Sequence, residues 1–121
     1  MTEAKRRTVA IVDDDHAVLD SLRFLLEVVG HTVEIFASGA EFLQANVNHF
    51  AYLISDQHMS NMTGLELAAR LRADGADISI LLITGSPSPT ITGRAAELGV
   101  QVLDKPPSEE ALIDFINVAR S

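Results

Sequence analysis

The chain has 121 residues, 47% of them hydrophobic and 21% charged, which suits one globular domain and argues against a disordered chain. Seventeen Asp and Glu against nine Lys and Arg give a formal charge of −8, a poor basis for gripping a phosphate backbone, so direct nucleic-acid binding by this chain is not expected. There is no cysteine, which excludes disulfides, thiol catalysis and Cys-ligated metals, and no apolar run approaches the roughly 18 residues of a membrane span. Residues 1–7 read as a charged tail that leads into only a short apolar run, unlike a secretory signal; a reducing cytoplasm is the expected compartment.

In chain order, short apolar runs alternate with helical stripes. Thr8 to Val12 is a β-branched run and reads as a buried strand. Leu19, Leu22, Leu26 and Val29 recur at helical spacing between about His16 and Val29, with Gly30 as the stop. Thr32 to Phe36 is a second strand. Ser38 and Glu41 form the pattern of a capping box that opens a short helix to about Ala45. Ala51 to Ser55 is a third strand, ending at Asp56. Thr63 and Glu66 repeat the capping pattern, and Leu67 and Leu71 carry a helix to Asp74, with Gly75 as stop. Ile78 to Ile83 is nearly all apolar and reads as a strand buried on both faces. Pro87, Pro89 and Gly93 with β-branched neighbours are poor helix material, which predicts an extended loop and a short helix only from about Thr92 to Leu98. Leu98 to Leu103 contains a fifth strand. Ser108 caps a last helix with Glu109 and Glu110 in its first turn and Leu112, Ile116 and Ala119 on its core face.

Five β-α units imply parallel strands with helices on both faces, an open doubly wound α/β sheet. In such sheets the ligand crevice lies outside the carboxyl ends of the strands. Those ends carry Asp13, Asp14 and Asp15, then Asp56, then Thr84, then Lys105. Carboxylates gathered there repel one another unless a hard cation sits among them or one is protonated. Oxygen ligands without His or Cys side chains favour Mg²⁺ or Mn²⁺, and such an ion keeps open positions for phosphate oxygens. Lys105 supplies a fixed positive charge, Thr84 a hydroxyl donor, and a carboxylate can attack phosphorus to give an acyl phosphate. The constellation is sufficient in kind for phosphoryl transfer.

Four segments carry a family resemblance: Val-Ala-Ile-Val-Asp-Asp-Asp at 9–15, Leu-Ile-Ser-Asp-Gln-His-Met-Ser-Asn-Met-Thr-Gly-Leu-Glu at 53–66, Leu-Leu-Ile-Thr-Gly at 81–85 and Leu-Asp-Lys-Pro-Pro at 103–107. With them the chain resembles a response-regulator receiver domain of two-component signalling over essentially its whole length. His-Thr-Val-Glu-Ile-Phe-Ala-Ser-Gly-Ala-Glu-Phe-Leu at 31–43 brings it nearest to receivers of the FixJ type. The resemblance implies a flavodoxin-like, CheY-like (βα)5 fold with strand order 2-1-3-4-5, one receiver domain over 1–121. It implies Asp56 as phosphoryl acceptor and Asp13, Asp14, Asp56 and the backbone carbonyl of His58 as ligands of Mg²⁺. Thr84 would donate to a phosphoryl oxygen and Lys105 would pair with the phosphoryl group, its bond to Pro106 being cis. The implied donor is a phosphohistidine on a sensor histidine kinase, and hydrolysis resets the switch. A downstream output domain or protein, and room for a phosphorylation-dependent homodimer, complete the implied partners; the chain is read as a switch rather than an enzyme with a separate substrate.

Three positions depart from the family pattern. Val102 stands where an aromatic is common, three residues before Lys105. Met59-Ser60 replaces the usual Met-Pro, which loosens the loop after Asp56. The Pro87/Pro89 stretch lies where receivers usually present their output face. Together they point to a non-standard readout.

Plainer roles are expected for other residues. Asp15 reads as a helix cap, Arg70 and Arg72 as solvated helix charges, and His16, His31 and His49 as surface or loop histidines. Met59 and Met62 pack around the loop after Asp56, and Tyr52 is a strand residue. The His58 side chain is placed over the mouth of the crevice, where it would tune hydrolysis, with Ser86 as companion. A flavodoxin-like cofactor carrier is opposed by three aspartates in the loop where phosphate-cradling amides would be needed. A metal-dependent aspartyl phosphatase would need a cap for which 121 residues leave no room. A partner-binding pseudo-receiver is opposed by the intact Asp14, Asp56, Thr84 and Lys105 set.

Overall fold

The computed structural model describes residues 8–120, with side chains described through Asn117. The expected tail at 1–7 and the core placement of Ala119 lie outside that range. The elements are β1 (Thr8–Val12), α1 (His16–Val28), β2 (Thr32–Phe36), α2 (Gly39–Gln44), a 3₁₀ turn (Val47–His49), β3 (Tyr52–Asp56), α3 (Gly64–Ala73), β4 (Ser79–Thr84), α4 (Pro89–Glu97), β5 (Gln101–Asp104) and α5 (Glu109–Arg120). All strand pairs are parallel and the sheet order is β2-β1-β3-β4-β5. Strand edges differ from expectation by a residue or so; β5 lies in the second half of the expected 98–103 stretch and runs on to Asp104, because Leu98–Val100 form the turn leaving α4.

The apolar strands divide their side chains by the two-residue period. Ala10, Val12, Leu53, Ile80 and Leu82 face one core, shared with Phe42 of α2, Leu67 and Leu71 of α3 and Ala95 of α4. Val9, Ile11, Tyr52, Ile54, Leu81 and Ile83 face the other, shared with Leu19 and Leu26 of α1 and Leu112 and Ile116 of α5. β1 and β3 are buried along their whole length, so their hydrophobic runs have no solvent face to alternate with.

Capping decides where the helices begin. Thr63 and Glu66 make the complete reciprocal box. Ser38 accepts from the Glu41 amide, but the Glu41 carboxylate turns to the amide of Ala37 rather than Ser38, so that box is only half formed. Ser108 accepts from the Ala111 amide and starts α5. The main correction is α4, which is a regular helix from Pro89, not a short one from Thr92. Ser88 caps it by accepting from the Ile91 amide at 3.2 Å. Pro89 then occupies the first turn, where a missing N–H loses nothing and the fixed φ favours the helix. The weak fourth helix expected from the Pro87/Pro89 stretch is therefore absent, while the prolines themselves stay at its start. Among the described residues no helix is long and apolar enough to cross a membrane.

Candidate functional site

The register of the sheet assembles the site. Val12 pairs with Ser55, so the next residues, Asp13 and Asp56, come level at adjacent strand ends. Asp56 pairs with Ile83, and Thr84 pairs with Asp104, which brings Thr84 and Lys105 to the same edge. The Lys105 amide donates to the Thr84 carbonyl at 2.9 Å and the Gln57 amide to the Ile83 carbonyl at 2.9 Å, which hold the chain in line just past the strands.

Carboxylate oxygens of Asp13, Asp14 and Asp56 all lie within 4.8 Å of one another, with Asp13 and Asp56 buried and Asp14 exposed. At an effective dielectric of about 20 such a pair repels by on the order of 3 kcal/mol. Asp13 shows the consequence: burial first, then the neighbouring Asp56 and Asp14 charges, push its carboxyl above the ordinary range. A hydrogen bond from the Asp15 amide to Asp13 Oδ1 at 2.9 Å and the Lys105 charge oppose that rise. Asp15 itself turns away and caps α1, accepting from Ala17 and Val18 amides, as its sequence position suggested.

The opposite half of the crevice is cationic and hydroxylic. The Lys105 ammonium forms an ion pair with Oδ1 of Asp56, whose side chain is only 3% exposed. No other hydrogen-bond donor among the described residues reaches that buried oxygen. The hydrogen bond to Asp56 raises the proton affinity of Lys105, and the Asp56, Asp13 and Asp15 charges add to it against a smaller burial effect. Its bond to Pro106 is cis, as the resemblance implies. Thr84 is fully buried, and its Oγ1 accepts from the Ser86 amide at 3.1 Å. The His58 ring does not hang free over the mouth: Nε2 lies 3.2 Å from Thr84 Oγ1.

The loop between β3 and α3 holds this arrangement. Gln57 is buried and its side-chain carbonyl accepts the Leu65 amide at 2.8 Å, tying the residue after Asp56 to the start of α3. Gly64 lies so close that a Cβ there would come 2.6 Å from the Asp56 carbonyl oxygen and from Leu82 Cδ2, which is why only glycine fits. Met59 and Met62 pack against the core beneath, as expected. Ser60 reaches across to Asp14, donating from its amide at 3.2 Å and its hydroxyl at 3.3 Å to Oδ2. Sequence reasoning missed both the Ser60 and the His58 contacts, because their partners are 46 and 26 residues away. It also misread Arg72, whose guanidinium donates to the carbonyls of Leu98 and Ala76 at 2.8 and 2.9 Å and so ties the end of α3 to the turn after α4.

Residues 9–117 match the family model described as the response regulator receiver domain. The chain belongs to that family. This receiver is 34% identical to the transcriptional regulatory protein FixJ of Bradyrhizobium diazoefficiens, over 92% of the chain and 55% of the relative. It is 37% identical to the response regulator protein TodT of Pseudomonas putida, over 92% of the chain and 50% of the relative. The receiver thus spans about half the length of the curated relatives it matches. Among solved structures, that of FixJ-N aligns with a TM-score of 0.83 at 30% identity, covering 93% of this chain and 91% of the other. The donor set suits the cation implied for the family. Three carboxylates with no competing thiol or imidazole in the cluster are hard oxygen ligands, and among the described residues only Lys105 pairs with the buried Asp56 oxygen to offset its charge.

Proposed function

We propose that the receiver accepts a phosphoryl group from a sensor-kinase phosphohistidine onto Asp56 and switches conformation to control an output partner. The observation that carries this is the single crevice in which a buried aspartate meets two further carboxylates on one side and a lysine on the other. An Asp56 carboxylate oxygen would attack phosphorus as the N–P bond of the donor breaks, leaving neutral imidazole and an acyl phosphate. Attack by water on that phosphorus later breaks the O–P bond and releases inorganic phosphate. Asp13, Asp14 and Asp56, with the backbone carbonyl of His58, would hold Mg²⁺ or Mn²⁺, which supplies neutralisation of charge on the transferring group. Lys105 exchanges its partner Oδ1 for the incoming phosphoryl oxygens, and the Thr84 hydroxyl donates to one of them.

The unit is one receiver over 1–121, working in the cytoplasm. The output is transcriptional by analogy with relatives such as the transcriptional regulatory protein FixJ. Val102, half-buried against the core under α3 and α4, stands where the family commonly has an aromatic that moves inward with Thr84, so this receiver lacks that aromatic for its readout.

The test is incubation with acetyl phosphate and Mg²⁺ followed by intact-mass measurement. One added phosphoryl group is expected in the wild type and none in Asp56→Asn. A wild-type mass that stays unchanged with Mg²⁺ saturating sinks the proposal.

A further inference from the structure

Asp14 is the exposed member of the acidic cluster, and a carboxylate on a surface would rotate among many orientations. Here it does not stand alone. Both donors of Ser60 converge on one of its oxygens, Oδ2, at 3.2 Å from the amide and 3.3 Å from the hydroxyl. Among the described residues no other hydrogen bond to this carboxylate is seen, and one of its oxygens lies within 4.8 Å of the Asp13 and Asp56 carboxylates.

The position of Ser60 is itself built. Its carbonyl accepts the Met62 amide at 2.7 Å, across Asn61 at φ 71. Asparagine is among the few residues that enter the left-handed region readily. Met62 in turn packs against the core cluster beneath α2 and α3, its sulfur lying over Gly39. A chain of contacts therefore runs from the core through Met62 and the Asn61 turn to Ser60 and out to Asp14. A residue without N–H and hydroxyl at position 60 would break it at the last step.

We propose that Ser60 is a positioning residue for the cation: by holding Oδ2 it fixes the Asp14 carboxylate beside Asp13 and Asp56, and so raises the affinity of the receiver for Mg²⁺. The inference rests on the reading of Asp14 as a Mg²⁺ ligand. Partners of this outer kind fix the orientation of the ligand they touch, and losing them typically weakens metal binding by about 10- to 100-fold. Ser60 and Asp14 are both exposed, which places the expected loss at the low end of that range.

The test is Mg²⁺ titration by calorimetry, with Mn²⁺ titration by electron paramagnetic resonance as the second readout, on the full chain without phosphoryl donor. Ser60→Pro, which removes both donors, is expected to bind Mg²⁺ about tenfold more weakly. Ser60→Ala keeps the amide and falls between, while Ser60→Thr keeps both donors and matches the wild type. In an Asp14→Asn background the Ser60 substitutions are expected to change nothing further. Equal or tighter binding by both Ser60→Pro and Ser60→Ala overturns the inference, as does an undiminished Ser60 effect in the Asp14→Asn background. A wild type that binds Mg²⁺ while the variants match it defeats the positioning role alone. A wild type that binds neither cation defeats the site reading and this inference with it.

Discussion

The three central strands, β1, β3 and β4, each join two regions with opposite physics, one residue apart. Through Val12, Ser55 and Ile83 the strands run inside the sheet, buried at 4% exposure or less. At Asp13, Asp56 and Thr84 the next residue carries a charge or a hydroxyl, equally buried. The interior gains from removing apolar surface from water, about 25 cal/mol per Å². The edge gathers like charges in a partly dry place and raises the proton affinity of Asp13. The lesson is that the interior holds the edge in an arrangement the edge would not adopt by itself, which is how a site keeps charge poised for a cation and a phosphoryl group.

Substitutions on either side of that boundary should separate the two regions. The largest effect belongs to the interior: Leu82→Ala, at a fully buried side chain of β4, is expected to lose about 2–5 kcal/mol in urea unfolding. A loss well under 1 kcal/mol would mean that the sheet interior is not what supports the edge.

A smaller effect is expected at His58. Nε2 of its ring lies 3.2 Å from the Thr84 hydroxyl that a phosphoryl oxygen would claim, and with Nε2 as the acceptor the two compete for that proton. Since a hydrogen bond is worth about 0.5–1.5 kcal/mol net, His58→Ala should bind beryllofluoride with Mg²⁺ roughly two- to tenfold more tightly. Weaker binding would show that the imidazole assists the bound state instead.

The smallest effect is expected at Asp13, because the Asp15 amide and Lys105 offset part of its burial penalty. Its raised proton affinity in the fold means that the ionised form is disfavoured there. The sign follows: the penalty is absent at acid pH, where the proton is bound in both states, and grows as pH rises through the raised value. In Mg²⁺-free buffer at neutral pH, Asp13→Asn should therefore melt slightly above the wild type, and the difference should close on acidification. A variant that melts lower at neutral pH would place the net interactions of the Asp13 charge on the favourable side.

How much was legible in the chain can be seen element by element. β1, β3 and β4 are dense apolar runs ending abruptly in Asp, Asp and Thr, and a parallel sheet leaves those ends together whatever the loops do. The Thr63–Glu66 box was legible because its partners are three residues apart. The Ser88–Pro89 start of α4 was misread, since a proline is a breaker inside a helix and an initiator in its first turn; the distinction depends on where the capping serine lies. Arg72 was read as a solvated charge because nothing local marks the carbonyls of Leu98 and Ala76 as its partners.

The sequence by itself determined the class of the sheet and which residue types meet at its carboxyl edge, because hydrophobic period and strand-end polarity are local properties, while the family was legible in the motifs at 9–15, 53–66, 81–85 and 103–107. Only the tertiary structure decided how those residues hold one another. The Lys105 ion pair with Asp56, the His58 contact with Thr84 and the two Ser60 donors on Asp14 each join segments far apart in the chain. Hydrogen bonds and ion pairs act over a few ångströms and require direction, so they exist only once packing of the apolar strands has set the register.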